Sequence, residues 1–347
     1  MSKLIFTERP EVELERIVAD SAAGRLLVVT DTNTSAIYHR LFPNHSPRWP
    51  EVTIAAGEAH KTIGSLEKVW SVMAGAGLNR RDMIVNVGGG TVTDLGGFAA
   101  ATYMRGIRYV NIPTTLLACV DASTGGKTAI DFRGVKNLIG AFHAPVATIV
   151  SQKPLVSLPT AELLSGWAEM IKHGLLDNDE HLNLLLDNDI PQVDSVEMLD
   201  MMRRSVGVKS RVVEQDPTEK GLRRCLNLGH TAGHALEALC LQRGTPISHG
   251  HAVALGILAE LRLSGYFPEA KYTRLRKYIL ARYPLSTLGE TDVPRLAEFM
   301  LSDKKNLTHD GCEVAYIALR DTGIPDLYAT APASELARSL VCLGAKN

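Results

Sequence analysis

Short apolar runs alternate with helical spacing through the first half of the chain. Runs of mostly apolar residues predict buried strands over residues 25–30, 52–55, 83–87, 109–112 and 147–150. Between the second and third runs, apolar residues recur at helical spacing from Leu66 to Met73, and Gly75 marks the predicted end of that helix. Strands that alternate with helices favour a parallel sheet covered on both faces. The pattern therefore predicts an α/β, Rossmann-like nucleotide-binding domain over residues 1–156.

The pattern becomes helical after Pro154. Thr160 opens a run in which apolar residues keep helical spacing as far as Leu175. Further amphipathic segments occupy residues 194–214, 226–241, 250–265 and 270–281, and residues 313–319 have the composition of a strand. Neither a repeat nor a low-complexity linker interrupts the sequence. We therefore expect a second, mostly α-helical domain over residues 157–347.

Two glycine clusters are the first features that indicate a ligand. Residues 88–90 are three glycines that follow a predicted strand, where a turn into a helix exposes backbone N–H groups to a phosphate. Lys127 directly follows two more glycines, so its ammonium group lies beside backbone that an anion can approach closely. Glycine-rich turns that bind nothing are common, and the spacing of a P-loop is absent. The clusters alone leave the ligand open.

Polar residues follow the predicted strands at their carboxyl ends, where parallel sheets bind ligands. Asp31 and the pair Thr114 and Thr115 occupy such positions. By themselves, Asp31 and Asn33 favour a capping turn that opens a helix.

Histidines in the second half have the spacing of metal ligands. His230 and His234 are four positions apart, so on a helix they share one face. His249 follows after a loop, and Glu169 supplies a carboxylate from a different predicted helix. Histidines at this spacing are more often packing or surface residues than ligands, and spacing alone would make His230 and His234 both ligands. The pattern leaves both alternatives open.

Composition describes an ordinary globular protein. The 347 residues are 45% hydrophobic with a formal net charge of −1, which argues against a nucleic-acid surface, and no apolar run reaches the length of a membrane span. The amino terminus lacks the apolar core of a signal peptide. Five dispersed cysteines without a CxxC pair predict reduced thiols in the cytoplasm.

Several separate motifs occur along the chain. The central stretch carries GGGTVTDLGGFAAATYMRG, IPTTLLACVDASTGGKTAID and GVKNLIGAFHAP. Others are DTNT, GEAHK, GWAEMIKHG, LNLGHTAGHALEA, SHGHAVALG and DKKN. Together and in this order they resemble one enzyme family, the 3-dehydroquinate synthases, which are sugar-phosphate cyclases. The resemblance extends from about Asp31 to Asn306, which makes it far more specific than any single motif.

The resemblance implies that NAD binds the first domain. The positions that match its cofactor site are Asp31, Asn33, Glu58, Lys61, Gly88, Gly89, Gly90, Thr91, Asp94, Thr114, Thr115, Asp121, Lys127 and Lys136. Carboxylates suit ribose hydroxyl groups, and glycine N–H groups with a lysine suit the pyrophosphate.

The resemblance also selects among the histidines. It implies that Glu169, His230 and His249 hold one divalent metal ion, zinc or cobalt, and that His234 faces the substrate. The other positions that match substrate or catalytic residues are Lys127, Lys172, Lys209, Arg223, Asn227, Asn137, Lys304, Lys305 and Arg105, the last contributed across a dimer interface in the family. This much positive charge suits a substrate with a phosphate and a carboxylate.

Two positions depart from the family pattern. His251 stands where many relatives have a glutamate, two residues after the metal histidine, and could perturb the metal or lie on the surface. Thr124 stands where a valine is frequent, and we expect little effect from it.

The activity that the resemblance implies is conversion of 3-deoxy-D-arabino-heptulosonate 7-phosphate into 3-dehydroquinate and phosphate. The reaction combines transient oxidation by NAD, phosphate elimination, reduction and internal aldol closure. Another sugar-phosphate cyclase, a metal-dependent polyol dehydrogenase of the same fold and a non-catalytic nucleotide-binding regulator are the alternatives. The resemblance further implies a cytoplasmic homodimer that acts on a small sugar phosphate, with neither nucleic acid nor membrane as a partner.

Overall fold

The structure is a computed structural model that describes residues 3–44, 49–285, 287–302 and 311–344. It divides into two compact units. The first unit comprises Met1–Pro159 and Pro191–Val206, and the second comprises Thr160–Ile190 and Gly207–Asn347. The sequence pattern had set a boundary between residues 156 and 157 and had placed the segment 191–206 in the second domain.

A six-stranded parallel sheet organises the first unit. The strands and helices of this unit are β1 (Lys3–Phe6), α1 (Pro10–Ser21), β2 (Leu26–Asp31), α2 (Ser35–Leu41), β3 (Glu51–Ile54), α3 (Ile63–Gly75), β4 (Met83–Gly88), α4 (Gly90–Thr102), β5 (Arg108–Pro113), β6 (Lys127–Phe132), β7 (Val135–Phe142) and β8 (Ala147–Val150). Strands β6 and β7 form a separate pair outside the sheet. The sheet has the order β1-β8-β5-β4-β2-β3, and every pairing in it is parallel. This confirms the α/β, Rossmann-like prediction.

Alternate side chains along the strands pack into two hydrophobic cores, one on each face of the sheet. In β2, Leu27 and Val29 belong to the core that α3 and α4 cover, whereas Leu26 and Val28 belong to the core on the other face. Successive side chains of a strand point to opposite faces. A strand with helices on both sides is therefore apolar throughout, which is why β2 and β4 read as continuous apolar runs.

An antiparallel hairpin, β6–β7, lies between β5 and β8 in the chain and is not part of the parallel sheet. The apolar pattern did not predict it. Most of β7 is exposed, and its apolar and polar residues do not alternate strictly. The hairpin carries Lys127, Lys136 and Asn137, three of the predicted site residues.

The second unit is mostly helical, as predicted. Its elements are α5 (Thr160–Asp177), α6 (Asp179–Asp187), α7 (Val196–Gln215, divided between the two units), α8 (His230–Gln242), α9 (His249–Ser264), α10 (Glu269–Arg282), α11 (Val293–Ser302), β9 (Glu313–Asp321), β10 (Ile324–Pro332) and α12 (Ala333–Cys342). The predicted strand at 313–319 is β9, which pairs with β10 in an antiparallel hairpin. Among the described residues, no helix combines the length and apolarity that a membrane crossing requires.

Glycines allow α9 to pack closely on both α5 and α8. A Cβ atom added to Gly250 would lie 1.9 Å from the carbonyl oxygen of Ser165 in α5. A Cβ atom added to Gly256 would lie 2.0 Å from the carbonyl oxygen of Gly229, directly before α8. These distances are far below van der Waals contact, so only glycine permits the observed backbone approach. The three helices are thus fixed against one another at backbone level.

Candidate active site

The turn between β4 and α4 has the geometry that the glycine triplet predicted. Strand β4 ends at Gly88, and α4 begins at Gly90 without a side chain that caps its first turn. A Cβ atom on Gly89 would lie 3.0 Å from the methyl group of Thr115, so the turn has little room for a side chain. The amino end of α4 therefore offers backbone N–H groups and a positive helix end to an anion.

Lys61 gathers four other predicted site residues around it. Its side chain is 3% exposed, and its ammonium group donates to Asp94 at 2.6 Å, to Asn137 at 2.5 Å and to Glu58 at 3.4 Å. Thr91 donates to the other oxygen of Glu58 at 3.0 Å. Burial alone would lower the pKa of Lys61, but the surrounding carboxylates raise it overall. Lys61 thus remains charged and holds this group of polar side chains in place.

Residues at the ends of β2 and β5 make local contacts with backbone N–H groups. Oδ1 of Asp31 accepts from the N–H groups of Asn33 and Thr34 at 2.9 Å, in a turn directly before α2 and not in a cap of the helix itself. Thr115 likewise accepts from a backbone N–H group at 3.1 Å. Thr114 differs, because its Oγ1 atom is buried without a hydrogen-bond partner among the described residues. An unsatisfied hydroxyl at this edge of the sheet fits a ligand contact.

The remaining predicted residues of the first unit lie in three places. Asp121 lies in a helical turn, Ala118–Ala122, and Lys127 and Lys136 lie on the hairpin. Arg105 precedes β5, whereas Thr114 follows it, and a strand of this length spans about 20 Å. Within one chain, the structure therefore places Arg105 at the opposite edge of the sheet from the glycine turn.

Glu169, His230 and His249 converge in the second unit. Glu169 is fully buried in the middle of α5, and the two histidines are the first residues of α8 and α9. The Nε2 atoms of His230 and His249 lie 3.9 and 3.8 Å from Oε1 of Glu169. Oε1 has no hydrogen-bond partner among the residues that the structure describes. A buried carboxylate oxygen that faces two imidazole nitrogens fits a divalent cation.

Contacts on the far side of each ring fix which nitrogen faces this centre. Nδ1 of His230 lies 3.2 Å from the carbonyl oxygen of Leu228, and Nδ1 of His249 lies 3.4 Å from a carboxylate oxygen of Glu237. Both partners are acceptors, so each Nδ1 carries the proton and each Nε2 keeps a lone pair. Metal-binding histidines are commonly oriented in this way.

His234 lies close to the same centre. One ligand atom from each of His230, His234 and His249 can be chosen so that all three lie within 4.8 Å of one another. The spacing argument for His230 and His234 is therefore geometrically sound. Within 4 Å of Oε1 of Glu169 lie the Nε2 atoms of His230 and His249.

Three of the predicted cationic residues are buried in the part of the second unit that the structure describes. Lys172, one turn after Glu169, contacts its carboxylate, and both residues are buried. Lys209 and Arg223 are 7% and 2% exposed. Asn227 donates to Glu219 at 2.9 Å, which sets the orientation of its amide. Lys304 and Lys305 lie outside the described residues.

His251 contacts Pro284 and Tyr283. Its Nε2 atom donates to the carbonyl oxygen of Pro284 at 2.8 Å, and its ring packs edge-on against Tyr283. Burial lowers its pKa, which keeps the ring neutral.

Two carboxylates near the histidines were missed from sequence. Glu237, which the sequence analysis did not single out, orients His249 through a carboxylate oxygen 3.4 Å from Nδ1 of its ring. Glu260 is fully buried in α9, where burial raises its pKa to about 8 against the opposing effect of backbone N–H groups, including that of Gly229. Both of its oxygens accept such groups, one from Gly229 and the other from Ala232. A single charge inside the apolar stretch 252–261 was the signal that could have revealed it.

Comparison with known proteins identifies the family. Residues 51–165 match the family model described as 3-dehydroquinate synthase N-terminal, and residues 166–306 match the one described as 3-dehydroquinate synthase C-terminal. A 3-dehydroquinate synthase from Parabacteroides distasonis is 40% identical over 92% of this chain and 92% of that protein. One from Pelobacter propionicus is 45% identical over 74% of this chain and 72% of that protein. The chain belongs to the 3-dehydroquinate synthase family.

Solved structures of two other synthases have a similar fold. A 2-epi-5-epi-valiolone synthase from Streptomyces hygroscopicus, with NAD⁺ and Zn²⁺ bound, has a TM-score of 0.85 at 25% identity, and the match covers 99% of this chain and 96% of that one. A 2-deoxy-scyllo-inosose synthase complexed with carbaglucose-6-phosphate, NAD⁺ and Co²⁺ has a TM-score of 0.84 at 24% identity, over 97% of this chain and 96% of that one. This chain thus shares its fold with synthases that have other names.

Proposed function

We propose that this chain is a 3-dehydroquinate synthase of the shikimate pathway, which converts 3-deoxy-D-arabino-heptulosonate 7-phosphate into 3-dehydroquinate and phosphate. Relatives with that name are 34–45% identical to it. The structural observation that carries the proposal is the convergence of two imidazole Nε2 atoms on the buried Oε1 of Glu169. Family membership and this centre together support an enzyme.

NAD, when bound, supplies a hydride acceptor that is regenerated within each turnover, because oxidation and reduction cancel in the overall reaction. The first unit fits this cofactor. The uncapped amino end of α4 offers N–H groups for the pyrophosphate, and the buried hydroxyl of Thr114 lacks a partner among the described residues. Asp31 and Glu58 supply carboxylates for ribose hydroxyl groups, and Lys61 keeps Glu58 and Asp94 in position.

A zinc or cobalt ion, when bound, supplies a Lewis acid for a substrate hydroxyl group. Glu169, His230 and His249 would hold this ion, since their ligand atoms already face one another. One carboxylate with two imidazoles leaves coordination positions open for substrate. His234 is left to contact the substrate phosphate or to relay a proton.

The buried cations account for recognition of two acidic groups. Lys172, Lys209 and Arg223 would neutralise the phosphate and carboxylate of the substrate, with Asn227 as a hydrogen-bond donor. Lys127 and Asn137 of the hairpin would orient the substrate and stabilise developing charge. Positioning and charge stabilisation of this kind can supply much of the rate enhancement without an acid–base dyad.

The assembly and location are part of the same proposal. The chain would act as a cytoplasmic homodimer, and Arg105 would contribute to the site of the partner subunit. Its position at the opposite edge of the sheet from the glycine turn supports a role outside its own chain's cofactor site.

The test is turnover of the heptulosonate phosphate with NAD well below the substrate concentration and Zn²⁺ or Co²⁺ present. Phosphate and dehydroquinate should form in equal amounts, each far exceeding the NAD added. A chelator should abolish the reaction, and metal should restore it. His249→Ala is the matched control, and it should lose metal binding and turnover together.

Competing activities give different outcomes in the same assay. Phosphate release from sedoheptulose 7-phosphate or glucose 6-phosphate, but not from the heptulosonate, would assign the chain to another cyclase. Accumulation of NADH in proportion to substrate would indicate a polyol dehydrogenase. Full activity of His249→Ala in chelator would refute the metal centre.

A further inference from the structure

Glu260 caps a helix to which it does not belong. It lies in α9, is fully buried, and accepts from the backbone N–H groups of Gly229 at 2.7 Å and Ala232 at 3.2 Å. Gly229 precedes α8 in the left-handed conformation, with φ of 79°, and provides no capping side chain. The first N–H groups of a helix lack intrahelical partners, so a carboxylate from α9 replaces the missing cap.

The capped segment contains His230. Glu260 holds the residue before His230 and the second residue after it, and the N–H group of Thr231 also contributes to the electrostatic environment of the carboxylate. The ring of His230 is oriented by the carbonyl oxygen of Leu228, directly before Gly229. The position of Nε2 relative to Glu169 therefore depends on backbone that Glu260 fixes.

We propose that Glu260 is a positioning residue for the metal centre, which fixes the start of α8 so that His230 faces Glu169. This inference rests on the proposed function, because the centre is the one assigned there. Glu260 accepts from the backbone N–H groups of Gly229 and Ala232, so it acts on metal affinity through the position of His230.

The experiment measures Co²⁺ binding to the metal-stripped full-length protein by competition with a chromophoric chelator, without substrate. Glu260→Gln keeps the shape but replaces one acceptor oxygen by an NH₂ donor, and its dissociation constant for Co²⁺ should rise about 10–100-fold. Glu260→Asp keeps the carboxylate and should show a smaller rise. Asp292→Asn is the matched control, since Asp292 also caps a helix start in the same unit by accepting from Gly289 at 2.9 Å. Its dissociation constant should equal that of the wild type.

A purely structural role would lower the melting temperature of Glu260→Gln and leave Co²⁺ affinity unchanged, which would overturn the proposal. If Glu260→Gln does not fold, Glu260→Asp decides: its Co²⁺-induced rise in melting temperature, relative to its own metal-free form, should be smaller than that of the wild type. An equal rise would count against the proposal. Failure of the wild type itself to bind Co²⁺ would refute the metal centre, and with it the role of Glu260.

Discussion

Replacement of Gly250 by alanine tests whether backbone contact between α9 and α5 builds the metal centre. Gly250 follows His249, and its N–H group donates to Oγ of Ser165 at 3.0 Å. An added Cβ atom would lie 1.9 Å from the carbonyl oxygen of Ser165 and 2.6 Å from its carbonyl carbon. Because these are backbone atoms, a change of side-chain rotamer cannot relieve the overlap. The helices would have to separate.

The expected loss follows from these distances. Carbon and oxygen atoms first touch at about 3.4 Å, so α9 would have to move by about 1.5 Å. Overpacking of a core costs about 1–3 kcal/mol, and loss of a buried hydrogen bond adds about 1 kcal/mol. We therefore expect Gly250→Ala to lower the free energy of unfolding by about 3 kcal/mol. Since Ser165 lies one turn before Glu169, the same movement separates His249 from Glu169 and should weaken metal binding by at least about tenfold.

Urea unfolding of the metal-free protein, followed by circular dichroism, and Co²⁺ titration measure the two effects. Gly207→Ala is the matched control, because Gly207 lies inside α7 and its added Cβ would meet Arg211 at an ordinary 3.7 Å. Alanine there should stabilise the protein by about 0.5–1 kcal/mol through helix propensity alone. If Gly250→Ala matched the wild type in urea midpoint and Co²⁺ affinity, the claim that close helix contact sets the ligand geometry would be wrong.

Three further substitutions probe other parts of the molecule. Glu237→Gln should weaken Co²⁺ binding about tenfold, because the histidine that it contacts loses a charged acceptor; unchanged affinity would argue against this orienting role. Lys127→Ala should abolish phosphate release yet leave NAD affinity, measured by fluorescence, nearly intact, and a parallel loss of both would make it a cofactor residue instead. Lys271 holds the pKa of Asp179 and of Asp321 below their usual values. The contribution of these ion pairs to the free energy of unfolding is therefore complete above about pH 4 and is lost as the pH falls further. Lys271→Met should therefore reduce stability at neutral pH by less than about 1 kcal/mol, and the difference from wild type should vanish near pH 2 in acid unfolding.

The central strands of the sheet in the first unit were predictable because they are buried on both faces. The edge strand β1 has no fully buried residue, and the apolar pattern did not predict it. Strands β2 and β4 have no exposed residue, and such strands appear in a sequence as plain apolar runs. The hairpin β6–β7 was not predictable by the same rule. Its second strand faces outward along most of its length, and its pairing depends on the partner strand and on the turn between them.

The histidine pattern shows where periodicity stops being informative. Spacing along α8 brings His230 and His234 to one face, and the structure does hold them near each other. Spacing cannot show that Glu169 arrives from α5 to face His230 and His249, because that contact joins residues far apart in sequence. The family resemblance supplied the choice of ligands. The structure adds the physical reason, which is the unsatisfied oxygen of Glu169 between two oriented rings.

The glycines near His230 allow α8 and α9 to pack closely. Gly229 and Gly256 serve helix packing, since an added Cβ on Gly256 would meet the carbonyl oxygen of Gly229 at 2.0 Å. Close packing brings the start of α8 within reach of Glu260, one turn after Gly256 on α9. A larger residue at position 256 would separate the two helices and remove the remote cap. Both the close packing at Gly256 and the cap from Glu260 are therefore needed to hold His230 in place.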